Sequence, residues 1–229
     1  MILFHTFGAA DIFPRTDLDD LGIVRMDEKA FSAAIEKLNH ANRKLRDMEA
    51  AKTLDQLALL WEEFLIAQNG VYTRLKKATE LGSAKGWFDR ISNERSSDEL
   101  LRYLLHARNA AEHGIERITS QEPGNVTLNS EPGKPLHIKR LEIRSGHDGM
   151  RIIGDRETLS QLRIGFTPGE VRLIAVKDRG IIYLPPNMHF GKPIQNVSPV
   201  VCANLGIAYL TSKVSEARAN WFQNSLPPS

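Results

Sequence analysis

The residues that most clearly suggest chemistry lie close together near the middle of the chain, where Arg108, Asn109 and His113 occur within one short segment. An imidazole titrates near neutral pH, so it can take a proton from a hydroxyl or give one to a leaving oxygen. A guanidinium keeps its positive charge and can stabilise the negative charge that develops on a phosphate group. These side chains are therefore suited to acid–base chemistry at a phosphate ester without a metal ion.

Two further polar residues fall on the same side of the helix that this segment is predicted to form. At about 100° per residue, Arg102, His106, Asn109 and His113 lie within an arc of about 60°, opposite a row of leucines. A solvated helix face explains most such stripes, but histidine and asparagine are weak helix formers, and Lys or Glu would suit a purely exposed face better. We therefore predict that Arg102 and His106 bind substrate beside the other two residues.

The histidines do not suggest a metal site. His106 and His113 are separated by about 10.5 Å along the helix axis, which is too far for both to ligate one ion. The polar residues of the second half follow no metal-ligand spacing that we recognise, and we expect them in loops: His137, His147, Asp148, Asp155 and His189. Neither a metal nor another cofactor is predicted.

Arg108 differs from the other polar residues, because on the helical wheel it falls among leucines such as Leu101 and Leu104. A guanidinium in that position is costly unless it is paired. One interpretation is an ion pair with Glu112, one helical turn further on. The other is that the apolar arc packs against a second copy of the helix, so that Arg108 points into a shared cleft.

The string RNAAEH, from Arg108 to His113, resembles the R-x4-6-H motif of the HEPN superfamily, in which a polar residue often follows the arginine. The wider string NERSSDELLRYLLHARNAAEHG also resembles a group of uncharacterised bacterial proteins associated with that superfamily. The resemblance covers about residues 27–120 and implies a helical bundle that commonly dimerises, with a composite cleft built from two motif copies. It implies Arg108 and His113 as essential residues, with Asn109 beside the arginine. Many HEPN domains are metal-independent ribonucleases, and others are inactive binding or scaffold modules.

Three amphipathic helices are predicted in the first half of the chain. Apolar residues at steps of three and four indicate one from Asp27 to about Ala51, and Thr53 with Gln56 forms a capping-box pattern at the start of a second, which runs toward Glu80. Ser96 and Glu99 open the third, which is expected to end near Ser120. The glycine- and serine-rich residues 82–97 are predicted to form an ordered connection, and residues 121–135 a linker.

The second half is predicted to be rich in strands. The patterns favour a bulged strand over residues 136–143, a turn at residues 145–149, and a hairpin from Val171–Val176 to Ile181–Leu184 with a four-residue KDRG loop. Ser198 and Pro199 open a closing helix. The predicted fold class is thus α+β, with a HEPN-like helical domain at 1–122, whose core spans 27–120, and a strand-rich domain with a carboxy-terminal helix at 123–229.

Composition limits the partners that we expect. Hydrophobic residues make up 41% and charged residues 25% of the chain, which is typical of a globular protein. Because 30 Lys and Arg residues nearly balance 28 Asp and Glu residues, any contact with RNA has to be local.

A single cysteine, Cys202, is predicted to be a buried thiol in a reducing compartment. We recognise neither an export signal nor a membrane span, so we expect a cytoplasmic protein.

Two functional hypotheses follow. The first is a metal-independent RNA endonuclease of HEPN type, a candidate toxin or defence effector, with Arg108, His113 and Asn109 as catalytic residues and RNA, a second copy and a candidate antitoxin or other protein as partners. The second is a non-catalytic module in which the helical half dimerises, Arg108 and Glu112 lock the interface, and the strand-rich half binds a ligand or protein. Fold resemblance alone does not decide between them.

Overall fold

The computed structural model describes residues 26–80, 84–114, 116–130, 137–146 and 149–222, and within them the fold is a mixed α+β arrangement. The helices are α1 (Glu28–Glu49), α2 (Leu54–Ala78), α3 (Ala84–Ser97), α4 (Glu99–His113), α5 (Arg156–Gln161) and α6 (Pro199–Trp221). The strands are β1 (Thr119–Glu122), β2 (Asn125–Ser130), β3 (Leu141–Gly146), β4 (Gly149–Gly154), β5 (Leu162–Thr167), β6 (Glu170–Leu173), β7 (Val176–Asp178), β8 (Ile181–Tyr183), β9 (Met188–His189) and β10 (Lys192–Pro193).

Side-chain caps explain where the long helices begin. Asp27, Thr53 and Ser198 each accept a hydrogen bond from the backbone N–H three residues later, which satisfies one of the unpaired donors at a helix start. Pro199 follows as the first residue of α6, where its missing N–H costs nothing. The first two predicted helices and the closing helix are confirmed.

The segment predicted as an ordered connection is largely a helix, α3. Its buried residues Ala84, Trp87 and Ile91 are spaced three and four apart, which is the period of a helix face. Gly86 and the serines at its end obscured that short pattern. The hydroxyls of Ser96 and Ser97 accordingly donate back to backbone carbonyls of α3, so Ser96 does not open the next helix as predicted.

Helix α4 is shorter than predicted at its carboxyl end. It is capped by Asp98, whose carboxylate accepts from the N–H of Leu101, and it ends at His113, not near Ser120. Gly114 leaves the helix with its N–H bonded to the Ala110 carbonyl, and a Cβ at this glycine would lie 2.3 Å from that carbonyl oxygen. Only glycine therefore permits this exit, and β1 begins at Thr119.

The strands pair in antiparallel two-stranded units: β1 with β6, β2 with β5, β3 with β4, β7 with β8 and β9 with β10. The predicted linker over residues 121–135 is therefore partly strand, because the end of β1 and the whole of β2 lie among these residues, whose composition is typical of turns. The predicted bulged strand begins later, at Leu141, and its first residue, Leu136, lies outside the described residues. The SGHDG turn likewise falls partly on undescribed positions, between β3 and β4.

The predicted hairpin is confirmed in position but not in detail. Val171–Leu173 belongs to β6, and the hairpin is formed by β7 and β8, in which Asp178 pairs with Ile181. The turn thus contains only Arg179 and Gly180, with φ of 50° and 82°. Positive φ at both central residues is typical of the type I′ turn that suits a two-residue hairpin loop.

One hydrophobic core includes residues from both sides of the predicted boundary at residue 122. Phe64 of α2, Leu104 of α4, Leu210 of α6 and Val176 of β7 all belong to it, because α6 packs against α1, α2 and α4. Independent folding of residues 1–122 stays a prediction, but the core is shared across that division.

The apolar arc of α4 lies inside this core, where α2, α3 and α6 of the same chain cover Leu100, Leu101 and Leu104. The arc therefore no longer argues for a second copy. Among the described residues, none of the helices has the length and hydrophobicity that crossing a membrane requires.

Candidate functional site

Two of the predicted residues on α4 meet a carboxylate that the sequence did not suggest. The Nδ1 atom of His106 lies 2.7 Å from Oδ2 of Asp178, and the side-chain amide of Asn109 donates to the same oxygen at 2.8 Å. Because an ionised carboxylate only accepts hydrogen bonds, Nδ1 of His106 is the protonated nitrogen. The hairpin of β7 and β8 is thereby fixed to the polar side of α4.

The environment of Asp178 favours its charged form. Burial acts to raise the pKa of this carboxyl, but the hydrogen bonds from Asn109 and His106 and the electrostatic effects of His106 and Arg179 together outweigh burial and lower the pKa. The anion therefore persists at neutral pH and holds both α4 side chains in place.

Aromatic contacts strengthen the attachment of the hairpin to α4. The Tyr183 ring of β8 stacks on the His106 imidazole, with ring centroids 3.6 Å apart and planes inclined by 10°. The Tyr103 hydroxyl, on the neighbouring side of α4, donates to the Ile174 carbonyl at 2.8 Å. Only 19% of the His106 side chain is exposed, so this imidazole is held on several sides.

Arg108 has the partner that the first interpretation predicted. Its Nη2 lies 2.5 Å from Oε2 of Glu112, and its Nη1 donates to Oδ1 of Asn109 at 3.2 Å. The Nε atom is buried, and none of the described residues forms a hydrogen bond with it. The arginine and the glutamate remain 23% and 25% exposed, respectively, so the pair lies at the edge of the protein and not deep in the core.

His113 lies on the other side of the same carboxylate. Its Nε2 is 3.9 Å from Oε2 of Glu112, and 76% of its side chain is exposed. As the last residue of α4, it is oriented by the helix but is otherwise open to solvent. Arg108 and His113 thus both lie within 4 Å of one carboxylate oxygen, at 2.5 and 3.9 Å.

Arg102 does not join this cluster. It is exposed and lines a separate depression with Tyr103, Tyr183 and Asn187, on the far side of the hairpin attachment. The structure therefore does not place Arg102 beside His113, and its predicted role in binding substrate stays a prediction. One α4 face contains all four polar residues, but the hairpin divides that face in two.

The sequence reasoning missed Asp178 and its neighbour Lys177. Both belong to the KDRG string, which we interpreted only as turn chemistry. Asp178 is separated from its partners on α4 by 69 and 72 residues, so no local pattern links them. The sequence contained one indirect indication of Asp178. A predicted hairpin with an acidic residue at its end occurs in the same chain as a helix whose polar face had no assigned partner.

The remaining candidates of the second half have separate, structural contacts. His189 bonds to Asp98, the cap of α4, at 2.9 Å; Asp155 caps α5; and the His137 carbonyl accepts from Thr158. His147 and Asp148 lie outside the described residues. Within the described ranges, no group of three or more His, Cys, Asp or Glu side chains is arranged to hold a metal ion.

Cys202 is a buried free thiol in α6, as predicted. Burial raises its pKa to about 12, so the thiol is protonated and unreactive at neutral pH.

The chain matches no protein-family model, no curated protein and no solved structure. The resemblance to the HEPN superfamily therefore depends on the residues from Arg108 to His113 and on their surroundings in the fold.

Proposed function

We propose that this protein is a metal-independent RNA endonuclease of HEPN type, with Arg108 and His113 as its catalytic pair. The observation that supports the proposal is the position of both side chains around Oε2 of Glu112, at 2.5 and 3.9 Å. A carboxylate oxygen resembles a phosphate oxygen in charge and in hydrogen-bond geometry, so the same side chains are placed to contact a phosphodiester.

In this proposal the reaction is a transesterification. The ribose 2′-oxygen bonds to phosphorus, the 2′-hydroxyl proton passes to an imidazole, and the bond from phosphorus to the 5′-oxygen breaks with protonation of that oxygen. The Arg108 guanidinium stabilises the charge that develops on the non-bridging oxygens. The products are a 2′,3′-cyclic phosphate and a 5′-hydroxyl, and a metal ion is not needed for either step.

Asn109, Asp178 and His106 have positioning roles in this scheme. Asn109 accepts from Arg108 and donates to Asp178, so it links the guanidinium to the hairpin. His106 is stacked under Tyr183 and bonded to the same carboxylate, so we assign it to holding that link and not to proton transfer. The catalytic role predicted for Asn109 becomes one of orienting Arg108.

A second copy of the chain would complete the reaction, because two proton transfers are served best by two imidazoles. In such a dimer, the exposed His113 of one chain acts as the base and the His113 of the other chain acts as the acid. The two histidines exchange these roles when the RNA strand binds in the opposite direction. We therefore propose a homodimer whose motifs share a cleft. Its cellular role is proposed to be that of a cytoplasmic growth-inhibiting or defence effector that an antitoxin or another protein partner can restrain.

The second candidate is a non-catalytic module, and one observation favours it. Arg108 is already paired with Glu112 and bonded to Asn109, so the arginine has structural contacts without any ligand. In that case Arg108 and Glu112 stabilise the end of α4, and the protein binds a ligand or protein partner without cleaving RNA.

Incubation of the purified protein with mixed RNA in EDTA tests the first proposal. We expect fragments that end in 2′,3′-cyclic phosphate and 5′-hydroxyl groups, and no cleavage of a matched strand with 2′-O-methyl riboses, since that strand has no nucleophile. Cleavage of the methylated strand, or fragments with 3′-hydroxyl and 5′-phosphate ends, would indicate hydrolysis and overturn the mechanism. Complete absence of cleavage would favour the non-catalytic module.

A further inference from the structure

A cavity of about 320 Å³ opens at the carboxyl end of α4, between the helix and β7. Its floor is apolar and is formed by Ala110, Ile118 and Val176, all of which are buried. The cavity exists because the chain leaves the helix abruptly at Gly114 and turns into β1, while β7 runs past the helix end. It is separate from the Asp178 network, although His113 lies on its rim.

The rim of this cavity is mainly basic. His113, Arg117 and Lys177 line it, against a single acidic residue, Glu116, and all four are exposed. Among the described residues, neither Arg117 nor Lys177 is paired with a carboxylate. Two permanent positive charges are therefore available for an anionic ligand, in a chain whose overall charge is nearly balanced.

The size and lining of the cavity fit one nucleotide. Its volume is at the lower end of the range of about 300 to 1,000 Å³ that is usual for small-molecule sites. A nucleobase can place its apolar faces against the floor, and an attached phosphate then reaches the lysine and the arginine, which is how single-stranded RNA is commonly held. The open carbonyls at the end of a helix also accept hydrogen bonds from base N–H groups.

We propose that this cavity binds the RNA nucleotide next to the scissile phosphate, with the base on the apolar floor and its phosphate between Lys177 and Arg117. The inference rests on the proposed function, because it takes His113 as the catalytic imidazole of the neighbouring phosphate. It adds a substrate-positioning surface that the helical motif alone does not include. Lys177 and Arg117 are positioning residues in this account, and His113 is shared between the cavity and the reaction.

Binding can be measured without cleavage by using a fluorescent RNA oligonucleotide with 2′-O-methyl riboses. Lys177→Glu reverses one charge at an exposed site, so we expect its dissociation constant to rise on the order of tenfold and to depend less on salt concentration. Lys192→Glu, which changes an exposed lysine in β10 away from the cavity, is the matched control and should stay within about twofold of the wild type. Equal affinities for the two variants would overturn the inference.

Methyl NMR locates the bound nucleotide directly. Addition of adenosine 5′-monophosphate or uridine 5′-monophosphate should shift the methyl signals of Ala110, Ile118 and Val176, and Ala175→Trp, a change at an exposed residue of the rim, should remove those shifts. Shifts elsewhere, or none at millimolar nucleotide, would contradict the proposed site.

If the cavity binds nucleotides but RNA is not cleaved, the ribonuclease proposal fails alone. If RNA is cleaved but Lys177→Glu binds normally, this inference fails alone.

Discussion

Two imidazoles lie on the same face of α4, that of His106 near the middle of the helix and that of His113 at its end, and their surroundings differ. His106 is 19% exposed, bonded to Asp178 and stacked on Tyr183, whereas His113 is 76% exposed at the helix terminus. A helical wheel assigns both residues to one group. The hairpin of β7 and β8 covers the first imidazole and leaves the second exposed, and we propose that only the exposed one is reactive.

Arg108 links these two regions, and its removal should have the largest effect. If the guanidinium stabilises phosphorane charge, Arg108→Ala should lower the RNA cleavage rate by about 100-fold or more. The free energy of unfolding should fall by only about 1 kcal/mol, because the Glu112 left behind is partly solvated.

Cleavage kinetics and urea unfolding of Arg108→Ala provide both values. Arg90→Ala is the matched control, since Arg90 is an exposed arginine on the neighbouring helix α3, and it should behave like the wild type. A loss of about 3 to 5 kcal/mol in Arg108→Ala would instead show that the arginine neutralises a buried charge, as the non-catalytic module requires.

The exit of the chain from α4 should be almost as sensitive. Gly114→Ala places a Cβ 2.3 Å from the Ala110 carbonyl oxygen, so the backbone has to shift, and we expect a loss of about 1 to 3 kcal/mol with displacement of His113. Gly86→Ala is the control, because its Cβ meets open space in a helix and should stabilise α3 by about 0.5 to 1 kcal/mol. Thermal unfolding distinguishes the two, and an unchanged melting temperature for Gly114→Ala would contradict the described helix end.

These expectations show what the sequence could and could not provide. Caps and apolar periodicity located α1, α2 and α6, because both signals lie within a few residues of one another. The end of α4 and the whole of α3 were missed, since one depends on a backbone contact at Gly114 and the other is a short helix that contains one glycine and three serines. Asp178 could not be found, because its partners His106 and Asn109 lie about 70 residues away and meet it only in the folded chain.

Disruption of the Asp178 network should be smaller and should depend on pH. Asp178→Asn weakens the bonds from His106 and Asn109, so we expect a loss of about 1 to 3 kcal/mol at pH 7. The pKa of Asp178 is lowered in the folded protein, so its contribution is complete above the ordinary value of 3.8 and disappears as pH falls through the lower folded value.

The stability difference between the wild type and Asp178→Asn should therefore shrink when urea unfolding is repeated in acid below pH 3.8. Asp89→Asn, at an exposed position on α3, should show no comparable difference at pH 7. A difference that persists unchanged in acid would mean that the carboxylate charge does not stabilise the hairpin.

The smallest effect is expected for Glu112→Gln. This carboxylate occupies the position proposed for a phosphate oxygen, so its neutralisation should tighten the binding of a 2′-O-methyl oligonucleotide by a few-fold and change the free energy of unfolding by less than about 1 kcal/mol. Glu170→Gln removes a more exposed pair with Arg172 and should leave binding unchanged. Weaker binding by Glu112→Gln would show that the glutamate supports the site and does not compete with RNA.

The comparison of the two imidazoles is tested most directly by measuring cleavage rate and melting temperature for His113→Ala and His106→Ala side by side. We expect His113→Ala to lose cleavage by about 100-fold or more at an unchanged melting temperature, because its side chain is exposed. We expect His106→Ala to lower the melting temperature, because the Asp178 carboxylate loses a buried partner, while cleavage persists in the folded fraction. Wild-type cleavage by His113→Ala, or complete loss of cleavage in a stable His106→Ala variant, would contradict the assignment of the reactive position to the end of α4.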